Sequence, residues 1–193
     1  MKLYHGTNQL FDKFDQNKSR VLDDYYGGGV AYFTDTLKVA HRYAKSMVNK
    51  YKGEPYVIEA NLNLGNVFDV DQQFTGKDLT KFVGQKKDVE DFARGAGLLK
   101  YGVDKYQVMA SLESGNERLT GEQVFKGLSL GMKQTAKARE KLKKLGYDTL
   151  RYNGGGEGIT TKHSVYIAFY NTNITIAEKY FFDSNGNKYR RVR

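Results

Sequence analysis

Two short stretches decide the reading of this chain: Leu3-Tyr4-His5-Gly6-Thr7, and Gly27-Gly28-Gly29-Val30-Ala31-Tyr32-Phe33-Thr34-Asp35. The first is an apolar run that stops at a histidine, a glycine and a hydroxyl. The second is a glycine triplet leading into another apolar run closed by polar residues. Each has the composition of a strand that presents its last side chains at a sheet edge. The triplet lets a ligand come close to the backbone, and no phosphate-loop lysine follows it. Directly afterwards Leu37, Ala40, Tyr43, Ala44, Met47, Val48 and Tyr51 recur at helical spacing, with Thr34 or Asp35 placed as a cap. Tyr32 and Tyr43 are eleven positions apart, one at a strand end and one on the inner face of the next helix. Two rings so placed can stand on opposite sides of a flat ligand.

Working outward, residues 8–26 form a loop in which Phe11 and Phe14 tuck against the core and Arg20 is a candidate phosphate contact. Beyond the single proline, Pro55, strands are expected over 56–64 and 67–70. The section from 76 to about 145 has helical periodicity broken by glycines. Its apolar seams are Phe82, Val89, Phe92 and Ala93; then Val124, Phe125 and Leu128; then Ala136, Leu142 and Leu145. Lys133, Lys137, Lys141 and Lys144 fall close to one helical face, either a solvated face or a stripe for phosphate backbones. Strands follow at 149–152, 164–169 and 174–182. A hairpin turn at 183–187 then gives a charged edge strand.

The composition narrows the chemistry. No cysteine is present, so disulfides, zinc thiolates and cysteine nucleophiles are excluded, and three scattered histidines disfavour a metal cluster. Lys and Arg number 31 against 22 Asp and Glu, a formal +9, and such a surface attracts polyanions. No run approaches the ~20 apolar residues of a membrane span, and Met1-Lys2-Leu3-Tyr4 lacks the apolar core of a signal peptide. A cytoplasmic monomer is expected, folded as one domain over 1–193 with the helices of about 76–145 as an insertion.

The order His-Gly-Thr, then Tyr-Phe-Thr-Asp, then Ala40-His41-Arg42-Tyr43 resembles the ADP-ribosyltransferase fold. The likeness is to its His-Tyr-Glu branch, which includes diphtheria toxin and the poly(ADP-ribose) polymerases. It is closer still to the small ADP-ribosyltransferase domains of phages and of polyvalent proteins of mobile elements. The resemblance implies an α+β fold, a split β-sandwich of two small antiparallel sheets around an NAD cleft. It implies NAD as substrate, no metal, and a macromolecular acceptor for one ADP-ribose, as in a phage-encoded or toxin-like effector. By the same resemblance His5 holds the adenosine ribose, the backbone of Gly6 grips the nicotinamide amide, and Thr7 supports the pyrophosphate side. Tyr32 and Tyr43 stack on the nicotinamide, and Gly29 and Phe33 complete the binding set.

The third motif departs from that pattern. Where the polymerases carry their catalytic glutamate, this chain has Val165, which can neither bind a ribose hydroxyl nor oppose a cation. Glu157, in the Asn153-Gly154-Gly155-Gly156-Glu157-Gly158 turn ahead of that strand, is the nearby acid and the candidate, with His163 and Ser164 as substitutes. Two other readings stand beside the transferase. One is a catalytically weak nucleic-acid-binding module on the same fold, motivated by the charge and by Val165. The other is a tRNA 2′-phosphotransferase, which needs a richer set of arginines and histidines than this chain supplies.

Overall fold

The computed structural model describes residues 1–15, 26, 31–83, 89–99, 104–115, 117–155, 162–183 and 186–190. The chain divides into two compact units: residues 1–20, 29–67 and 148–193, and residues 21–28 with 68–147. The architecture is α+β.

The first unit is built on an antiparallel sheet. Its strands are β1 (Lys2–Thr7), β2 (Ala31–Thr34), β3 (Tyr56–Leu62), β7 (Thr149–Gly154), β8 (His163–Ala168), β9 (Ile174–Phe182) and β10 (Lys188–Arg190). They run in the spatial order β10-β9-β3-β1-β2-β8-β7. The charged β10 lies at the edge, as the sequence pattern requires. The helix α1 (Leu37–Tyr51) follows β2. The alternation of β1, β2, β3 and β8 sorts side chains into two faces. On one, Leu3, Phe14, Ala31, Phe33, Ile58, Ala60, Tyr166 and Ala168 form a buried cluster. On the other, Ala40 of α1 packs with Val57, Tyr180 and Phe182, and Tyr4 and Leu37 lean against them. The expected tuck of the early loop is present: Phe11 and Phe14 meet edge to face, ring centroids 4.9 Å apart.

Helix α1 differs from its sequence reading in its start. Thr36, not Thr34 or Asp35, occupies the cap position, and its side chain makes no capping bond. The Thr34 hydroxyl accepts instead from the Thr36 amide at 3.2 Å. Asp35 is drawn away, accepting from the Thr36 hydroxyl at 2.9 Å.

The second unit contains β5 (Gln73–Thr75) and β6 (Arg118–Thr120), which pair antiparallel, and the helices α2 (Lys77–Val83), α3 (Val89–Gly95), α4 (Lys105–Ser114), α5 (Gly121–Leu128) and α6 (Thr135–Lys144). β4 (Val67–Asp69) spans the point where the chain passes between units. Two helices start on reciprocal caps. Asp104 accepts from the amides of Tyr106 and Gln107 while Gln107 returns a bond to the Asp104 amide, and Thr120 and Gln123 repeat the device. The first two apolar seams are buried as read, but the third shifts. Ala138 and Leu142 face the core, while Ala136 and Leu145 are exposed. The run Ala136, Leu142, Leu145 mixes helical faces, whereas an i, i+4 pair stays on one.

Candidate active site

The site begins where the β1–β2 ladder of the first unit's sheet ends. β1 pairs with β3 along its whole length, from Lys2–Asn61 to Thr7–Tyr56. β2 pairs with β8 from Ala31–Ala168 to Thr34–Val165. Between β1 and β2, the register among the described residues is the single pair Tyr4–Thr34. The backbone ladder that joins the two halves of the sheet thus ends at that pair. Continuing the antiparallel register sets His5 against Phe33 and Gly6 against Tyr32 beyond it.

His5 reaches from β1 to β2 with its side chain. Its Nδ1 lies 2.8 Å from the Tyr32 carbonyl oxygen. A carbonyl only accepts, so Nδ1 carries the proton and Nε2 is left as an acceptor. Burial pushes the His5 pKa below its ordinary value, outweighing the opposite pull of the Tyr32 carbonyl, so the ring is neutral at pH 7. The ring packs against Phe14 at 5.3 Å, Phe33 at 5.7 Å and Phe11 at 6.1 Å between centroids.

Gly6 sits where β1 runs beneath α1. A Cβ there would collide with the Ala40 carbonyl oxygen and stand 2.7 Å from the Ala44 amide nitrogen. The second residue of His-Gly-Thr is therefore fixed by helix packing. Thr7 is buried and turned back on its own chain, its hydroxyl donating to the Gln9 carbonyl at 3.2 Å. Alternation between the buried Ala31 and Phe33 puts the Tyr32 side chain on the α1 face. Tyr43 belongs to the same helical stripe as Val39, Ala40 and Ala44, at about 100° per residue. Those three are buried, yet Tyr43 is 43% exposed. The expectation of an inner-face tyrosine is corrected in this respect: the stripe faces the sheet, but its Tyr43 position stays substantially exposed. Gly6, Tyr32 and Tyr43 share the α1 face, while the His5 ring, with Phe33, occupies the other. Gly29 and Glu157 lie outside the described residues.

The third motif is structural at its centre. Val165 is buried and paired on both sides, to Thr34 and to Tyr152. Beside it stands a polar cluster whose grouping, and whose Arg151, sequence reasoning missed. The Ser164 amide donates to both oxygens of Asp35 at 3.2 Å. Arg151 donates to the Ser164 hydroxyl at 3.2 Å and to the Asn153 side-chain oxygen at 3.0 Å. The β2–β8 and β7–β8 registers together make these residues neighbours, so no local signal announced the grouping. The buried acid of this unit, Glu59, is committed elsewhere. Lys2 pairs with it at 2.8 Å and the Tyr180 hydroxyl donates to it at 3.0 Å. Burial works to raise the Glu59 pKa, but these partners outweigh it and hold the carboxylate below its ordinary value. Burial and the same carboxylate push Tyr180 up to about 12.

In the second unit, α6 divides its cations. Arg139 and Lys143 both reach Glu140, at 3.3 and 3.4 Å. Lys137, Lys141 and Lys144 of α6 are exposed, as is Lys133, which lies in the turn before the helix and so not on its face as the spacing suggests; among the described residues none of the four has a carboxylate within ion-pair distance. Among the described residues no group of three or more acids and histidines is placed to hold a metal ion, and no helix is long and apolar enough to cross a membrane.

Residues 1–182 match the family model described as ADP-ribosyltransferase in polyvalent proteins. No curated protein and no solved structure matches the chain.

Proposed function

The chain belongs to the family of ADP-ribosyltransferases in polyvalent proteins, and from that premise we propose that it uses NAD to transfer a single ADP-ribose to a macromolecular acceptor, as a phage-encoded or toxin-like effector in the cytoplasm. The observation that supports this reading is the end of the β1–β2 ladder at Tyr4–Thr34, with Gly6 opposite Tyr32 and the exposed Tyr43 on the same face.

In this reading the nicotinamide ring lies between Tyr32 and Tyr43, and backbone groups of Gly6 take its amide. Aromatic stacking of this kind needs no charge on the protein. His5 lies on the other face, so the ribose has to reach past the end of the β1–β2 ladder to meet it; there the neutral ring accepts a hydroxyl at Nε2, a role its protonated form could not fill. Transfer breaks the bond between C1′ and the nicotinamide nitrogen, and the electron pair leaves with nicotinamide. An acceptor atom then bonds to C1′ and releases its proton. The transition state is cation-like, so a carboxylate beside the ribose lowers the barrier. Glu157 is the one acid between Gly154 and His163, the paired residues that close β7 and open β8. We assign it that role, because both oxygens of Glu59 are occupied by Lys2 and Tyr180. With one acid there, addition of a single ADP-ribose is favoured over polymer growth.

Labelled NAD incubated with the protein and a host-cell lysate tests the proposal. Nicotinamide should be released and label should become macromolecular, with protease or nuclease digestion identifying the acceptor class. No nicotinamide release would favour the nucleic-acid-binding module on the same fold, for which the lysine stripe is the supporting observation.

A further inference from the structure

A cavity of about 240 Å³ opens beside α6, within the second unit. Its apolar floor is Phe82 and Val83 of α2, Phe92 of α3 and Leu128 of α5. Gly127 lets the Phe92 ring lie directly on the α5 backbone, since a Cβ there would stand 2.6 Å from the ring. On one rim stand Lys137 and Lys141, one helical turn apart, with Gln134 before them; Asp91 stands on the α3 rim.

The start of α6 is set by an unusual turn. Leu130, Gly131 and Met132 all have positive φ, at 53°, 67° and 73°. For Leu130 and Met132 that conformation costs about 1 kcal/mol or more each. Buried Ser129 holds it, its hydroxyl accepting from the Met132 amide at 3.1 Å and its carbonyl from the Gln134 amide at 2.9 Å. The strained turn thus fixes Gln134 and the two lysines at the mouth of an apolar hole.

Size and charge together select an occupant. The volume falls below the roughly 300–1,000 Å³ of pockets that enclose a drug-sized ligand, so it suits one ring system and not a dinucleotide. Lys144 continues the α6 cations beyond Lys137 and Lys141, and Lys133 stands in the turn before the helix; all four are exposed and unpaired among the described residues, on a chain of formal charge +9. A row of cations tracking past an aromatic-floored hole matches a phosphate backbone whose base has left the stack. Gln134 and Asp91 supply the donor and acceptors that a base edge would meet.

We propose that this face binds single-stranded nucleic acid, with phosphates along the α6 lysines and one unpaired base in the cavity. The site deepens the reading of the acceptor given above, but it is tested without NAD, so its failure leaves the transferase reading standing. Binding is measured by fluorescence anisotropy with three probes: labelled oligothymidylate, an abasic strand of the same length, and a duplex of that sequence. Oligothymidylate should bind in a salt-sensitive manner, and the abasic strand more weakly by about 5- to 100-fold, the size of one lost stacking contact. Lys137→Glu with Lys141→Glu should weaken both single strands and lower the salt slope by about two. Both lysines are exposed, so the variant should keep its fold, which circular dichroism checks. Equal affinity for oligothymidylate and the abasic strand would overturn the base site. So would tighter binding of the duplex, or wild-type binding by the double variant, or displacement of every strand by an acidic peptide alone.

Discussion

The His5 imidazole donates from Nδ1 to the Tyr32 carbonyl oxygen over 2.8 Å, at the point where the backbone ladder between their strands has ended. One side chain therefore does what the missing strand pairing would have done. It holds β2 at a fixed distance from β1 and keeps its own tautomer fixed.

Because the His5 ring is also packed on Phe11, Phe14 and Phe33, His5→Ala should lose stability as well as function. The expected cost is about 2–4 kcal/mol, from a cavity left among aromatics plus one lost hydrogen bond. Denaturant midpoints measure it. A variant as stable as the wild type would mean that the ring is not part of the packed face.

Gly6→Ala has no room for its methyl group against the Ala40 carbonyl and the Ala44 amide. The helix must shift away from β1, at an expected cost of about 1–3 kcal/mol, visible as a lowered midpoint for thermal unfolding. Because α1 carries Tyr43, nicotinamide release should fall as well. Unchanged stability would show that α1 moves freely over the strand.

Tyr43→Ala separates packing from ligand contact. The side chain is exposed, so the stability change should stay within about 0.5 kcal/mol, while KM for NAD rises. Phe33→Ala is the contrast: its side chain is 1% exposed, and removing it should cost about 3–5 kcal/mol. A large loss of stability in Tyr43→Ala, with NAD use intact, would return that tyrosine to a structural role.

Glu157→Gln should retain NAD binding, since the ring stack and the His5 contact are untouched. Nicotinamide release at saturating NAD should fall by about two to three powers of ten, the usual loss on removing one electrostatic stabiliser. Glu157→Asp should recover little. Turnover close to wild type would leave Glu157 as a turn residue and move the search to His163 and Ser164.

Stability should fall in mild acid. Burial lowers the pKa of His5; at His41, stacked on Phe182 at 3.9 Å, burial and then the charge of Lys45 do the same. The unfolded chain takes up these protons near the ordinary value of 6.5, while the folded chain resists until lower pH. Their contribution is therefore full above 6.5 and is lost as pH falls through the folded values. Urea midpoints between pH 7.5 and 5.5, as an illustrative range of about two units, should decline, and less steeply in His41→Gln. A flat profile in the wild type would mean that both rings titrate normally.

Much of the fold was legible because hydrophobic periodicity is local. β3, β7, β8, β9 and α1 stand within a few residues of where alternation, the 3.6 period and the Gly53-Glu54-Pro55 break put them. The short strand β6 was hidden in a section that reads as helical, and β5 fell in the unassigned stretch just before it. Each has three residues, too few for a period to register. The motif His5-Gly6-Thr7 and the Tyr32 to Tyr43 spacing pointed to the family by residue order alone.

What sequence could not give is which side of a strand meets which neighbour. The pleat puts His5 and Gly6 on opposite faces, but only the register with β3 and the weight of α1 decide which face is which. Tyr43 carries the periodicity of a core residue and is exposed, because burial depends on what stands opposite and not on the helix itself. Arg151, Ser164 and Asp35 gather through strand pairing across 129 positions of chain, and Glu59 is neutralised by partners 57 and 121 positions away. Local pattern fixes which segments become strands and helices; the long-range register, set by packing of whole elements, decides which side chains share a site.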